Sequence, residues 1–376
     1  MTGGAATGGL MTGGAITGGV VTGGAPTGGM MTGGVATGGA LVGGAATGGA
    51  MPGGALVGGT ETGGAATGGA PGECELGVYD PSDPPQVLEL SRPPGAHDPS
   101  AIEANGTYYL FSTSLFAWTS SNLTDWQNAP RAFGIPSWAT EMVPGVSDLW
   151  APDVSYFGGQ YHLYYSASTF GSNRSCIGHA TRAALDAGSW TDQGSAVICS
   201  NVDDDVNWNA IDPNVIIDTD GNPWMDFGSF WSGIQLIQLD AQGQRVGDEV
   251  TNIANRGGPG IEGPFIVYRC GYYYLFTSWD TCCQGASSTY NIRVVRSEAV
   301  NGPYVDQDGT TALNGGGTLV AETGGDFAGP GGQSVLISGN DAYLVYHAYL
   351  RSNGAHQLRV AELVWDSDGW PVPVGP

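Results

Sequence analysis

The sequence predicts an all-β protein, a five-bladed β-propeller that follows a low-complexity Gly/Thr-rich tail. One unit recurs five times: a proline beside an acid or a glycine, and then a strand rich in tyrosine and phenylalanine. The units start near residues 98, 153, 212, 262 and 330, a period of roughly 50 to 70 residues that is typical of propeller blades. Short strands separated by Gly, Asp and Asn turns, with few helical patterns, support the same fold class.

Each unit places its proline motif before a strand that would line the centre of the ring. A carboxylate at that point, with the hairpin turning away behind it, would project into a central channel. A repeat solenoid is the alternative, but an enclosed channel better explains why acids recur at one place in each unit. The motifs and their strands are His97–Pro99 with Thr107–Ser112, Ala151–Val154 with Gln160–Ser166, Asn209–Asn214 with Phe227–Gly233, Glu262–Phe265 with Tyr272–Thr277, and Gly329–Gly332 with Ala342–His347.

The first 70 residues form fourteen five-residue units of the type x-Thr-Gly-Gly-x, which hold 28 of the 65 glycines and one charge, Glu61. Such a chain loses much entropy on ordering and has little side chain to bury. We therefore expect residues 1–72 to be a disordered linker or tail and residues 73–376 to be the propeller domain.

Charge and hydropathy exclude several classes of partner. Residues 74–376 hold 33 acids against 11 basic residues, all arginine, a net charge of −22. A surface this acidic argues against nucleic acid and anionic membranes as partners.

The chain has no run of 18 apolar residues, so no membrane span is expected. No basic and apolar leader follows Met1, yet we expect a secreted or extracellular monomer whose leader is not visible in this sequence.

Six cysteines favour disulfides in a protein of secreted type. Cys176 and Cys199 fall in two strands of one predicted blade, and we expect them to pair. Cys282 and Cys283 are adjacent and either form a vicinal bridge or stay reduced. The pairing of Cys74 and Cys270 is left open.

Carboxylates at a channel mouth suit glycoside hydrolysis, which needs one acid to protonate the leaving oxygen and one carboxylate to activate water or attack carbon. Asp98, Asp212 and Glu262 begin the first, third and fourth units, and Asp153 begins the second in a similar way. Any one of these acids alone would be read as a turn or helix-cap carboxylate. Several at matched positions of a repeat, in an aromatic-rich channel, favour catalysis.

Aromatic and small polar residues near the unit starts suggest a sugar-binding surface. Sugar rings stack their C–H faces on aromatic side chains, and their hydroxyls bond to amides, hydroxyls and carboxylates. Packing within and between the blades is the alternative for each of these residues. The predicted substrate contacts are Trp150, Phe170, Asn173, Asn209, Ser229, Phe230 and Trp231.

Six motifs, taken in order, resemble the endo-1,5-α-L-arabinanases of glycoside hydrolase family 43 across residues 90–370. One of these motifs alone would be a weak indication, whereas the ordered set is specific. They are His97–Ser100, Trp150–Val154, Tyr164–Ser175, Asn209–Pro213, Gly228–Gly233 and Cys282–Gly285.

The resemblance implies a propeller that cleaves α-1,5-linked arabinan or arabino-oligosaccharides with inversion. It implies that Asp98 is the general base, Glu262 the general acid, and Asp212 the residue that orients the acid and raises its pKa. It also implies that His347 helps to hold a cation, usually Ca²⁺, in the central channel. No organic cofactor is expected. Gly332 departs from the family, many members of which carry histidine there. Inversion predicts that Asp98 and Glu262 stand roughly 6.5 to 9.5 Å apart, with room for water.

Two other functions remain open at this point. The same scaffold could carry an exo-acting arabinofuranosidase or a β-xylosidase, because the loops at the channel mouth decide the mode of attack. A non-catalytic carbohydrate-binding propeller is the alternative from another class, and it would be favoured if one of the three acids were missing.

Overall fold

The computed structural model describes residues 73–202 and 205–375, and these form five antiparallel sheets arranged as the blades of a propeller. The predicted all-β, five-bladed fold is confirmed. The predicted tail, residues 1–72, lies outside the described residues.

Each blade is a meander whose first strand lies innermost. Blade 1 contains β1 (Ser100–Ala104), β2 (Thr107–Ser112), β3 (Phe116–Ser120) and β4 (Gln127–Ala129). Blade 2 contains β5 (Leu149–Phe157), β6 (Gln160–Ala167), β7 (Ser175–Arg182) and β8 (Thr191–Ser200). Blade 3 contains β9 (Asn214–Ile217), β10 (Pro223–Phe227), β11 (Ile234–Gln238) and β12 (Thr251–Ala254). Blade 4 contains β13 (Ile261–Arg269), β14 (Tyr272–Trp279), β15 (Asn291–Ser297) and β16 (Thr318–Ala321).

Blade 5 has three strands of its own, β17 (Phe327–Ser338), β18 (Asp341–Leu350) and β19 (His356–Glu362). The segment before blade 1 completes it, because Val87 pairs antiparallel with Ala361 and the Leu88 N–H donates to Val360 O at 2.8 Å. The innermost strands contact each other in the order β1, β5, β9, β13, β17, and β17 returns to β1. The ring is therefore closed by pairing the segment before blade 1 with the last strand of blade 5.

Helical structure is sparse in the described residues. A six-residue helix, α1 (Ser137–Met142), packs Trp138 and Ala139 against blade 2. Single 3₁₀ turns cover Glu73–Glu75, Thr113–Leu115, Gly285–Ser287 and Ala312–Asn314. None of these helices has the length and apolar character that crossing a membrane requires.

The hydrophobic core is divided into layers between adjacent blades. Ile102 and Phe111 of blade 1 pack with Leu163 of blade 2, and equivalent layers fill the other four junctions. Because the apolar residues alternate along the strands, each sheet contributes one face to each of two layers. This packing fixes the five inner strands and hence the residues at their ends.

The structural repeat is most exact in the backbone at the start of each inner strand. In every blade one residue there has a positive φ: Asp98 (50°), Ala151 (41°), Asp212 (57°), Gly263 (56°) and Gly332 (56°). Proline follows it in the first four blades, and Gln333 takes the place of the proline in blade 5. Asp98 and Asp212 therefore occupy one equivalent position, and Glu262 lies one residue before it. The expectation that Asp153 is a fourth equivalent acid is wrong, because Ala151 holds that position and Asp153 lies two residues further along β5.

Three disulfides join the six cysteines. The expected Cys176–Cys199 bridge is confirmed, between directly opposed residues of β7 and β8. Cys282 and Cys283 form the vicinal bridge, one of the two states considered for them. Cys74 pairs with Cys270, which attaches the start of the described chain to the β13–β14 turn.

Candidate active site

A cavity opens where the inner strands begin. Its wall includes Asp98 of blade 1, Asp153 of blade 2, Asp212 of blade 3, Tyr290 of blade 4 and Gly332 of blade 5. Every blade thus contributes to one cavity. Glu262 borders it through Gly263 and through Tyr290, which is its hydrogen-bond donor. Asp98 and Asp212 thus lie in one cavity wall and Glu262 borders it, as the expected meeting of the three acids requires.

Asp98 is held by basic and polar groups. Its Oδ2 accepts hydrogen bonds from His97 Nδ1 at 2.8 Å and from Thr113 Oγ1 at 2.9 Å, and its Oδ1 lies 3.5 Å from His347 Nδ1. Burial alone would raise the pKa of Asp98, but His97, His347 and Thr113 together outweigh burial and hold this pKa well below its usual range. Asp98 is therefore ionised at neutral pH.

Asp212 has the same backbone conformation but the opposite electrostatic surroundings. Its Oδ2 accepts a hydrogen bond from the Gly263 N–H at 3.0 Å, next to Glu262. Burial raises the pKa of Asp212 well above its usual range, and the charges of Glu262 and Asp98 raise it further, against the lowering effect of the Gly263 N–H.

Glu262, in β13, is 8% exposed and faces two hydroxyls. Ser229 Oγ donates to its Oε2 at 2.7 Å and the Tyr290 hydroxyl donates to its Oε1. Burial is the largest influence and raises the pKa of Glu262, and the charge of Asp98 adds to it, whereas the hydrogen bonds from Tyr290 and Ser229 lower it. Hydroxyls can also accept, so both remain compatible with a protonated Glu262.

The cavity therefore combines an ionised carboxylate with carboxyl groups that resist ionisation. This difference is what general acid–base chemistry requires, because the base must accept a proton at the pH at which the acid still holds one. Asp153 adds a buried carboxyl deeper in the channel. Burial raises its pKa to about 7, although Asn214, the Val215 N–H and Ser100 all donate hydrogen bonds to it.

His347 takes part in a contact that recurs around the ring. A side chain near the end of each second strand bonds to the start of the next blade. The contacts are Thr113 Oγ1 with the Ala151 N–H (3.1 Å), Ser166 Oγ with the Asp212 N–H (2.9 Å), Ser229 Oγ with Glu262 Oε2, Ser278 Oγ with the Gly332 N–H (2.8 Å), and His347 Nδ1 with the Asp98 N–H (3.2 Å). His347 thus closes the ring where the other blades use a hydroxyl.

One nitrogen of His347 is left for the predicted cation. Its Nε2 is buried and has no hydrogen-bond partner among the described residues, and ligand atoms of His97, Asp98 and His347 lie within 4.8 Å of one another. Calcium prefers six to eight oxygen ligands. This donor set therefore fits a cation only if water supplies most of its coordination sphere.

The acid-lined propeller cavity can be compared with known proteins. The sequence profile of the glycosyl hydrolases family 43 matches residues 93–371. The chain belongs to this family. It is a glycoside hydrolase, and the matched segment contains all three acids and all five blades.

Relatives of both cleavage modes are similar to the family 43 domain. The "Extracellular endo-alpha-(1->5)-L-arabinanase 1" of Bacillus subtilis is 41% identical over 286 residues, which is 73% of this chain and 86% of the relative. The "Extracellular exo-alpha-(1->5)-L-arabinofuranosidase ArbA" of Cellvibrio japonicus is 38% identical, over 73% of this chain and 85% of the relative. The crystal structure of the family 43 endo-arabinanase from Bacillus licheniformis has a TM-score of 0.70 and 43% identity, over 76% of this chain and 100% of that chain.

Three of the predicted substrate contacts of this family 43 domain are exposed aromatics. Phe170 is 84% exposed, Phe230 37% and Trp231 39%. The Phe230 N–H donates to Ile261 O at 2.8 Å, which places its ring beside the strand that carries Glu262. Trp150 is half-buried at the start of β5. For these four residues a sugar contact stays a prediction.

The three predicted polar contacts already have partners within the protein. Asn209 is 2% exposed and accepts a hydrogen bond from Ser175 Oγ at 2.7 Å. Asn173 Nδ2 donates to Val206 O and Trp208 O, and Ser229 donates to Glu262. These contacts show what each side chain does in the fold, and substrate binding by them stays a prediction.

Sequence reasoning missed several residues of the site. His97 and Thr113 bond to Asp98, and Tyr290 bonds to Glu262. His97 directly precedes the acid in a motif and could have been assigned from that adjacency. Tyr290 comes from the start of β15 and Thr113 from a 3₁₀ turn, and neither carries a local sequence signal.

Proposed function

We propose that this enzyme hydrolyses internal α-1,5-L-arabinofuranosidic bonds of arabinan with inversion. The observation that carries the proposal is the opposite surroundings of two carboxyls at one cavity: His97, His347 and Thr113 hold the pKa of Asp98 below its usual range despite burial, whereas burial raises the pKa of Glu262. The endo-arabinanases among its relatives support arabinan as the substrate. Its three disulfides and the word "extracellular" in the names of two relatives support secretion.

In the proposed mechanism, Asp98 takes a proton from a water molecule as the water oxygen attacks the anomeric carbon. Glu262 gives its proton to the glycosidic oxygen, and the bond between that oxygen and the anomeric carbon breaks. Asp212 disfavours ionisation of Glu262 before the reaction and positions the segment at Gly263 through its hydrogen bond. The product carries the opposite anomeric configuration, and both carboxyls return to their starting state by exchange with solvent.

A second cleavage mode has support of its own, because relatives named as exo-acting are nearly as similar as those named endo-acting. We favour internal cleavage because Phe170, Phe230 and Trp231 expose three rings, more than one sugar unit needs. Such rings would bind units on either side of the bond that breaks.

We also propose that the Nε2–H of His347 donates to a water bound to a cation in the channel, because Nδ1 already accepts the Asp98 N–H and the neutral ring therefore carries its proton on Nε2. The buried ring nitrogen without a partner among the described residues supports this proposal. The cation would supply positive charge near Asp98, and the residues themselves perform the proton transfers. Calcium addition to chelator-treated protein should then raise the melting temperature, and the His347→Ala variant should show no such rise. An equal response of both proteins would remove His347 from the site.

Product analysis on linear arabinan tests the main proposal. Early samples should contain a ladder of oligosaccharides, and proton NMR should show the inverted anomer first. The Asp98→Asn variant serves as the control for contaminating activity. Arabinose or one short oligosaccharide as the sole early product would establish the exo alternative. Activity on xylan without activity on arabinan would overturn the substrate assignment.

A further inference from the structure

A chain of hydrogen bonds reaches Asp98 from the loop that carries Cys282 and Cys283. The Cys283 N–H donates to the Tyr349 hydroxyl oxygen at 3.0 Å. That oxygen lies 2.8 Å from His97 Nε2, and His97 Nδ1 lies 2.8 Å from Asp98 Oδ2. These hydrogen bonds thus connect the Asp98 carboxylate to the start of blade 1, to a strand of blade 5 and to the vicinal disulfide loop.

The chemistry of these groups fixes the direction of each bond. A backbone N–H can only donate, so the Tyr349 oxygen accepts from Cys283, and when His97 is neutral the Tyr349 proton is available to His97 Nε2. An ionised carboxylate can only accept, so His97 Nδ1 carries a proton towards Asp98. Each ring nitrogen of His97 is therefore assigned one role by its neighbour.

The chain determines which oxygen of Asp98 faces the reaction. Oδ2 receives both short hydrogen bonds, from His97 and Thr113. Oδ1 makes only a 3.5 Å approach to His347 Nδ1, and it faces Gly332 of the cavity wall, where an added Cβ would lie 2.3 Å from it. Oδ1 is consequently the oxygen left to accept a proton from water.

We infer that His97 and Tyr349 are positioning residues for Asp98, and that the Cys282–Cys283 loop holds the Tyr349 hydroxyl in place through the Cys283 N–H. The inference rests on the proposed role of Asp98 as general base. Tyr349 is 3% exposed, so it acts through His97 rather than on the substrate. A base whose carboxylate rotates freely spends less time aimed at the attacking water, which lowers kcat without changing substrate binding.

Asp212 shows that such a chain is not a general property of this backbone position. It shares the positive φ and the following proline with Asp98, yet its carboxylate accepts the Gly263 N–H rather than a bond from an imidazole. The chain to His97 therefore accompanies the acid that must act as a base.

Tyr349→Phe is the primary variant, because it removes one hydroxyl and keeps the ring packing. On linear arabinan kcat should fall about 10- to 100-fold, the usual effect of losing an outer hydrogen-bond partner at a catalytic centre, while KM stays within about twofold. Tyr343→Phe is the matched control, since Tyr343 lies in the same strand, half-buried, beside Asp341 and Glu362. Its kcat should equal that of the wild type.

A double-mutant cycle separates positioning from general damage. In a His97→Ala background, Tyr349→Phe should cost no further activity, because the residue through which it acts is gone. The Cys282→Ala/Cys283→Ala double variant is the second probe, and it keeps the Cys283 N–H but frees the loop. It should lower kcat less than Tyr349→Phe does, and this loss should also vanish in the His97→Ala background.

The outcomes distinguish this inference from the proposed function. Active wild type, inactive Asp98→Asn and unchanged Tyr349→Phe would overturn the positioning role alone. Equal losses from Tyr349→Phe with and without His97, or a rise in KM at constant kcat, would also overturn it. Full activity of Asp98→Asn would instead remove the proposed function, whatever Tyr349→Phe does.

Discussion

Blades 1 and 3 start with the same backbone and the same residue, yet their two acids have opposite properties. Asp98 and Asp212 both precede a proline and both have a φ between 50° and 57°. Imidazoles and Thr113 lower the pKa of Asp98 despite burial, whereas burial, Glu262 and Asp98 raise the pKa of Asp212. The repeated backbone therefore determines where a carboxylate stands, and the residues brought from neighbouring blades determine its charge.

The sharpest way to test this contrast is to neutralise each acid in turn. Asp98→Asn and Glu262→Gln should each lower kcat on arabinan by about 10²–10⁴-fold, because each removes one proton transfer. On an aryl arabinofuranoside with an acidic phenol, Glu262→Gln should recover much of its lost rate, since that leaving group needs little protonation. Asp98→Asn should show no such recovery. Equal recovery of both variants would contradict the assigned roles.

Asp212→Asn tests the opposite side of the comparison. The charge of Glu262 raises the pKa of Asp212, and by the same repulsion an ionised Asp212 would raise the pKa of Glu262, so this substitution tests whether Asp212 carries the charge while Glu262 holds its proton. If it does, the pKa of Glu262 should fall. The basic limb of the kcat/KM profile should then move to lower pH, with a loss of roughly 10- to 100-fold at the optimum. The control is Asp218→Asn, whose carboxylate lies in a turn of blade 3 behind the site. A basic limb that stays in place would show that Asp212 only orients the site.

Substitution of Gly332 tests how closely the neighbouring backbone confines the Asp98 carboxylate. A Cβ on Gly332 would lie 2.3 Å from Asp98 Oδ1 and 2.9 Å from His347, whereas one on Gly339 would meet nothing within 4 Å. Both glycines have positive φ, 56° and 63°, so their alanine variants share the backbone strain. Gly332→Ala should lower kcat about tenfold more than Gly339→Ala does. Equal effects of the two substitutions would mean that strain, and not contact with Asp98, limits this position.

Two other stacked histidines show what happens when no carboxylate is hydrogen-bonded to either ring; the charge of Asp240 opposes the shift of the His179 pKa without reversing it. His162 Nδ1 lies 2.8 Å from His179 Nε2 in the core of blade 2. Burial lowers the pKa of His162 to about 4, and burial together with the charge of His162 lowers that of His179 to about 3. Beside Asp98, the pKa of His97 is raised instead, because the attraction of Asp98 overcomes burial.

The sign of the resulting pH dependence follows from linkage. Unfolded histidine titrates near 6.5, so below that pH the unfolded chain binds protons that the folded His162–His179 pair refuses. The free energy of unfolding should therefore decrease as pH falls from about 6.5 towards 3. Urea titrations at pH 7, 5 and 4 would measure this slope, and the His162→Gln/His179→Gln variant should have a shallower one. An unchanged slope would assign the acid sensitivity to other groups.

The fold was predictable because its signals are local. Each blade repeats a proline motif and an aromatic strand within a short stretch of chain, and Cys176 and Cys199 oppose each other across one hairpin. The Cys74–Cys270 bridge spans 196 residues and had no such signal. In the sequence, Asp153 marks the start of the second unit because it is an acid. The feature that actually repeats is the residue with positive φ, which in blade 2 is Ala151.

The site was predictable in its acids and not in their partners. Asp98 and Asp212 occupy the same place in a visible repeat and Glu262 stands one residue before it, so their meeting followed from the ring. Tyr290 and Tyr349 reach the site from the beginning of β15 and from β18. Only the packing of one blade on another brings them there, and that packing leaves no mark in a short stretch of sequence.

Carboxyl ¹³C NMR, with resonances assigned from Asp98→Asn and Glu262→Gln, tests the central claim that one acid is ionised while the other keeps its proton. The wild-type spectrum of labelled protein would be followed from pH 3 to pH 8. The account predicts that Asp98 remains ionised through this range and that Glu262 titrates above the ordinary value for glutamate. Titration of both carboxyls near pH 4 would contradict it.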